Sequence, residues 1–139
     1  MSTIFQLSFL LVFPFWALMI FAPRWTVTRR VMASPFVAIG PVLIYALLVV
    51  PDIASILPLV ARPELDTIAA LLGTSAGATI AWQHFLAFDL LIAQRIHADA
   101  IERGTPVWLL SPIILLTLLL GPLGWLAHLV VRSLGRARG

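Results

Sequence analysis

Residues 4–22 form an apolar run in which Gln6 and Ser8 are the only strongly polar members. Three more such runs follow, at about residues 35–57, 76–97 and 107–131. Each is near the roughly 20 residues that an α-helix needs to cross the hydrocarbon core of a bilayer. In lipid, every backbone N–H and C=O must find its partner inside the segment, so a single run of this kind spans as a helix. The expected fold class is all-α: an integral membrane bundle of four transmembrane helices, in one domain covering residues 1–139.

Composition points the same way. Hydrophobic residues make up 61% of the chain and charged residues 11%, whereas about a quarter of a soluble domain is charged. Nine basic and six acidic side chains are too few to cover a folded surface of this size with water-compatible groups. All the basic residues are arginine, and they fall in loops and at the tail. That distribution suits lipid headgroups, and nucleic acid is not an expected partner. With no cysteine, disulfides, thiol chemistry and thiolate metal sites are excluded.

A cleaved signal peptide would carry a basic leader and a shorter apolar stretch, so the first run is expected to stay as a membrane helix. Pro14 should bend it. A basic loop with Arg24, Arg29 and Arg30 follows, and Ser34-Pro35 reads as the start of the second span. Pro51-Asp52 marks fraying or the interface. Residues 64–72 place Leu65, Ile68, Ala69 and Leu72 on one face, the pattern of a short interfacial helix before the third span. The small residues of 73–77 break that helix or let it pack closely. In the fourth span, Pro122 should kink the helix and free the carbonyl of Leu118, and Gly121 and Gly124 offer a close-packing face. For four spans, the arginines divide almost evenly between the two sides. The three that follow the first helix lean the orientation toward both termini outside the cytoplasm.

The third span is the anomaly. Within Ala81-Trp-Gln-His-Phe-Leu-Ala-Phe-Asp89, and on to Arg95, it holds His84 and Asp89 at membrane depth. Ionisable groups there are costly unless paired, so they face the bundle interior and mark a site or lock helix packing. At about 100° per residue, Asp89 lies roughly 140° around the helix from His84. A helix polar on two faces belongs in the centre, and Asp89 then needs a partner from another helix. Arg95 and Asp99, four residues apart, suit an interfacial ion pair. An acid and a base in an apolar pocket suit proton-transfer chemistry, and such a pocket admits an isoprenoid more readily than a water-soluble substrate. Trp82, Phe85, Phe88 and His128 are the candidate ligand-lining residues. His84, Asp89, His97 and His128 match no metal-ligand spacing, and neither metal nor cofactor is expected.

Several blocks together resemble a known family. Phe13-Pro-Phe-Trp-Ala-Leu-Met19, Ala22-Pro23, Thr28 and Met32-Ala-Ser34 are similar to its opening. Pro63-Glu-Leu65, Ile68-Ala69, Ala81-Trp82, His84, Asp89-Leu90, Ala93 and Arg95 are similar to its central signature, and Leu116-Thr-Leu-Leu-Leu-Gly-Pro-Leu-Gly124 to its last helix. The family is that of the abscisic acid-deficient-four-like proteins, four-helix membrane proteins whose plant members are linked to neoxanthin synthesis. For those members the resemblance implies opening of an epoxide coupled to allene formation, which needs an acid on the epoxide oxygen and a base at a neighbouring carbon. By analogy Asp89 and His84 take those roles, and Arg95 that of an orienting cation. No plastid transit segment precedes the first helix, so a bacterial-type member in the inner membrane is expected, with a substrate that need not be the plant one.

Three functions follow as alternatives. One is a carotenoid or isoprenoid isomerase or binding protein. Another is a non-catalytic accessory subunit of a pigment or respiratory complex, as a homo-oligomer or with other chains. The last is a small proton-coupled transporter.

Overall fold

The computed structural model describes residues 1–136. The described residues are helical throughout, joined by short turns. Helix α1 (Ser2–Phe21) buries Ser8, Val12, Trp16 and Met19, a stripe at steps of four and three residues. Its other faces leave Leu7, Leu10, Phe13 and Phe21 exposed, as suits a helix with lipid on one side and protein on the other. It ends at Ala22, before a proline that disfavours helical backbone in the residue preceding it. A short helix, α2 (Thr26–Met32), follows and is tied to that end by Thr28, whose Oγ1 donates to the Ala22 carbonyl at 2.7 Å.

Ser34 Oγ accepts from the Phe36 N–H at 3.2 Å, but what it caps is a turn. The second long helix starts later than residue 35, with α3 (Ile39–Val49), and Pro41 falls in its first turn, where a missing N–H costs nothing. A 3-10 turn at Val50–Asp52, containing Pro51, joins α3 to α4 (Ile53–Ala61). Together Ile39–Ala61 form an apolar rod long enough to cross a membrane.

The short helix before the third span is α5 (Leu65–Leu72). Thr74 then caps α6 (Ser75–Glu102), accepting from the Gly77 N–H at 2.9 Å. Gly77 has no room for a side chain, because a Cβ there would run into the Leu71 carbonyl of α5. Helix α6 is central. It packs on α1, α2, α3 and α5 and on both helices that follow it, and it buries residues from Gly77 to Ala100 on several faces. It extends past residue 97 and closes in a Schellman motif: Gly104 takes φ 68°, its N–H donates to Ile101, and Thr105 N–H donates to Ala100.

The last quarter differs from the four-span expectation. Among the described residues, three helices are long and apolar enough to cross a membrane: Ser2–Phe21, Ile39–Ala61 and Ser75–Glu102. Residues 107–131 are not one bent helix but two, α7 (Val107–Leu119) and α8 (Gly121–Arg136), broken at Leu120 with φ −146° and ψ 67°. The break is a reversal. Gly124 lies so close to Thr117 that a Cβ would collide with the Thr117 backbone, which a continuous helix could not bring about across seven residues. Gly121 lies against Asp89, while His128 and Arg132 reach Asp99. Helix α8 therefore runs beside α6 in the same direction and α7 in the opposite one. Pro122, expected to kink a span, sits in the first turn of the returning helix.

This hairpin changes the sidedness of the chain. Phe5 packs on Trp82 at a centroid distance of 5.2 Å, and His97 Nε2 lies 2.7 Å from the Pro23 carbonyl, so α1 and α6 are parallel. Arg24 donates to the Gly104 and Thr105 carbonyls, both at 3.0 Å. The end of α1, the end of α6 and the end of α8 thus share one side, opposite the chain's first residues.

Candidate functional site

The polar residues of α6 sort along its length. Near its end, Gln94 Nε2 donates to the Met32 and Ser34 carbonyls, the latter at 2.8 Å. With His97 on Pro23, these contacts fasten the α1–α3 connection to the central helix. Asp99 gathers three groups: Arg103 Nε at 2.9 Å, His128 Nε2 at 3.2 Å and Arg132 Nη1 at 3.3 Å. The expected Arg95–Asp99 pair is absent among the described ion pairs. Arg95 is exposed, and Asp99 turns to Arg103, the helical order, acid before base, that the helix dipole favours.

Midway along α6 a cavity of about 580 Å³ opens between α1, α6 and the hairpin tip. Trp82, His84, Phe85, Phe88 and Asp89 line it from α6, Phe9 and Trp16 from α1, and Leu118, Leu119, Gly121 and Pro122 from the turn. Five of the seven candidate site residues thus meet at one cavity. Arg95 and His128 lie outside it. His128 is buried against Asp99, with Trp125 at a centroid distance of 5.5 Å.

The two ionisable residues of the cavity have different surroundings. His84 stands among aromatic rings, stacked on Phe88 at 4.6 Å, edge-on to Phe85 at 6.3 Å and 5.9 Å from Tyr45 of α3. Asp89 packs against Gly121, where any Cβ would collide with its Oδ1 and Cγ. Gly121 opens α8, so the carboxylate stands at the positive end of a helix dipole. What another helix sets against Asp89 is the backbone that opens α8 rather than a side chain. His84 and Asp89 point apart around α6, and the cavity wraps far enough around the helix to reach both.

Comparison with known proteins settles the family. The model of the ABA DEFICIENT 4-like family matches residues 3–128. The chain belongs to the ABA DEFICIENT 4-like family. It is 27% identical to the chloroplastic Protein ABA DEFICIENT 4 of Arabidopsis thaliana, an alignment that takes in 96% of this chain and 62% of that relative. The chain therefore spans less than two thirds of the length of the curated relative it matches. No solved structure matches. For this ABA DEFICIENT 4-like chain, the family match runs from α1 into α8 and includes every cavity residue.

Sequence reasoning passed over Trp16, Phe9 and the hairpin tip as parts of the site. A signal existed for two of them. Trp16 lies in the Phe13–Met19 block that carries the family resemblance, and Gly121-Pro122 is a turn-forming pair.

Proposed function

We propose that this membrane protein holds a lipophilic polyene of the carotenoid or isoprenoid class in the cavity between α1, α6 and the hairpin, and isomerises it by acid–base chemistry. The reading is carried by one observation. The cavity is walled by Trp16, Trp82, Phe85 and Phe88 and holds both ionisable residues of the membrane-depth stretch of α6, His84 and Asp89. Aromatic walls offer a conjugated chain a matching apolar surface. An acid and a base reaching one apolar space are what proton abstraction coupled to protonation elsewhere on the same molecule needs.

In this reading Asp89, fixed against the α8 N-terminus, serves the oxygen-bearing end of the substrate, and His84 exchanges a proton at carbon. Membership of the ABA DEFICIENT 4-like family supports the substrate class. Arg95, exposed and away from the cavity, has no part in the step.

The test is the visible absorption spectrum and extracted lipid content of the detergent-purified protein. A bound polyene is expected. His84→Ala and Asp89→Asn are expected to abolish conversion while the variants still fold; normal turnover by both would sink the assignment.

A further inference from the structure

His84 reaches the cavity against the geometry of its own helix. It lies roughly 140° around α6 from Asp89, so the lean of its ring must bring it to the shared space. That ring is flanked on both sides. On one it stacks on Phe88, with centroids 4.6 Å apart and planes at 24°. On the other stands Tyr45 of α3, the only tyrosine in the chain, its ring 5.9 Å away and tilted by 57°. The helix sets these flanks. Phe88 lies about 40° from His84 toward Asp89, whereas Gln94, which holds the chain entering α3, lies about 80° the other way.

Tyr45 comes to this place by the pitch of α3. Pro41, Tyr45 and Val49 recur every four residues, and Pro41 and Val49 are the buried residues of this helix, which packs chiefly on α6. Tyr45 is half-buried and is not among the residues that line the cavity. His84 is exposed, and a helical backbone alone allows an aromatic ring two directions, χ1 near 180° or near −60°.

We infer that Tyr45 is the positioning residue of His84: its ring closes the α3 side and keeps the imidazole over Phe88, on the cavity side. The inference rests on the acid–base reading given above. The role belongs to the ring and not to the hydroxyl, and it acts on the polyene only through His84. Without that ring the imidazole turns away toward α3. A base displaced by about 1 Å loses up to a hundredfold in rate while the ligand still binds.

The test compares wild type, Tyr45→Phe and Tyr45→Ala as full chains in detergent micelles, with β-carotene 5,6-epoxide as the probe. Tyr45→Ala should lose about tenfold to a hundredfold in kcat with KM unchanged, and Tyr45→Phe should restore the rate. Carbon-13 labelling of the three histidines, assigned with His84→Gln, reads the ring without any turnover. In wild type the His84 ring protons should lie upfield of a free imidazole, with Overhauser contacts to Phe88 and Tyr45. Tyr45→Phe should keep that shift, and Tyr45→Ala should lose it. Unshifted His84 signals in wild type, normal kcat in Tyr45→Ala, a loss carried by KM, or a Tyr45→Phe as slow as Tyr45→Ala would overturn the role of Tyr45. Each of those leaves the acid–base reading standing. If wild type converts no epoxide, that reading falls and the role of Tyr45 falls with it.

Discussion

Asp89 of α6 occupies the space in which any side chain at position 121 would stand. The carboxylate and the glycine are thus one structural unit, assembled only when the hairpin folds back on the central helix.

Gly121→Ala should therefore displace the Asp89 carboxylate. The colliding atoms belong to a short side chain that can rotate away, so the stability cost is expected to be modest, about 1 kcal/mol. Polyene conversion should drop at least tenfold. Gly124→Ala is the control, because its Cβ meets the Thr117 backbone, which cannot rotate away. It should cost about 2–3 kcal/mol of stability. Thermal melts in detergent beside turnover assays separate the two, and the idea fails if Gly121→Ala turns over normally.

The contacts of Asp99 make it the clamp between α6 and α8. Asp99→Asn should lower the melting temperature by a few degrees, an effect of about 1 kcal/mol for partly exposed pairs. Arg95→Ala, removing an exposed arginine that Asp99 does not use, should leave the melt unchanged. Equal losses from both would return Arg95 to the ion pair.

Sidedness follows from the hairpin. Arg24, Arg29, Arg30, Arg95, Arg103 and Arg132 all lie toward the end shared by α1, α6 and α8, and Arg62 lies toward the other. By the positive-inside rule the arginine-rich end is expected on the side from which the chain inserts. The native chain has no cysteine, so single replacements can be labelled cleanly in intact cells. Arg62→Cys should react with an impermeant maleimide, whereas Arg30→Cys and Ser133→Cys should react only after permeabilisation. Labelling of position 133 from the same side as position 62 would mean that residues 107–131 cross after all.

Gln83 is fully buried with neither its amide oxygen nor its nitrogen paired, and it is not among the cavity residues. Replacing such a group by an apolar one removes a desolvation cost of about 1–3 kcal/mol. Gln83→Met should thus raise the melting temperature and leave pigment binding intact. A loss of binding would give Gln83 a place in the site.

What the sequence made legible was whatever contrasts with an apolar background. Three membrane helices were readable because hydropathy and length suffice for them, and the short helix before α6 because its apolar face repeats. His84 and Asp89 stood out because charge at membrane depth is rare. The hairpin did not stand out. Gly121-Pro122 in an apolar run fits a kink and a reversal equally, and hydropathy carries no direction. That one ambiguity hid the Asp89–Gly121 contact and the true partners of Asp99, and it made the arginines look evenly divided. Trp16 was hidden for another reason: at periodic spacing on an apolar helix, a tryptophan reads as core, and only its place at the cavity distinguishes it.

The hairpin turns back at the level of Asp89, so the last two helices add bulk beside only part of the length of α6. Over the remainder, toward Trp82, the hairpin does not reach, and His84, Phe85 and Phe88 stay exposed with Tyr45 of α3 beside His84. In the polyene reading, that gap serves as a side door opening toward lipid. A long hydrophobic molecule can slide in sideways, seat one end against the hairpin tip and leave its tail among the acyl chains, without ever passing through water.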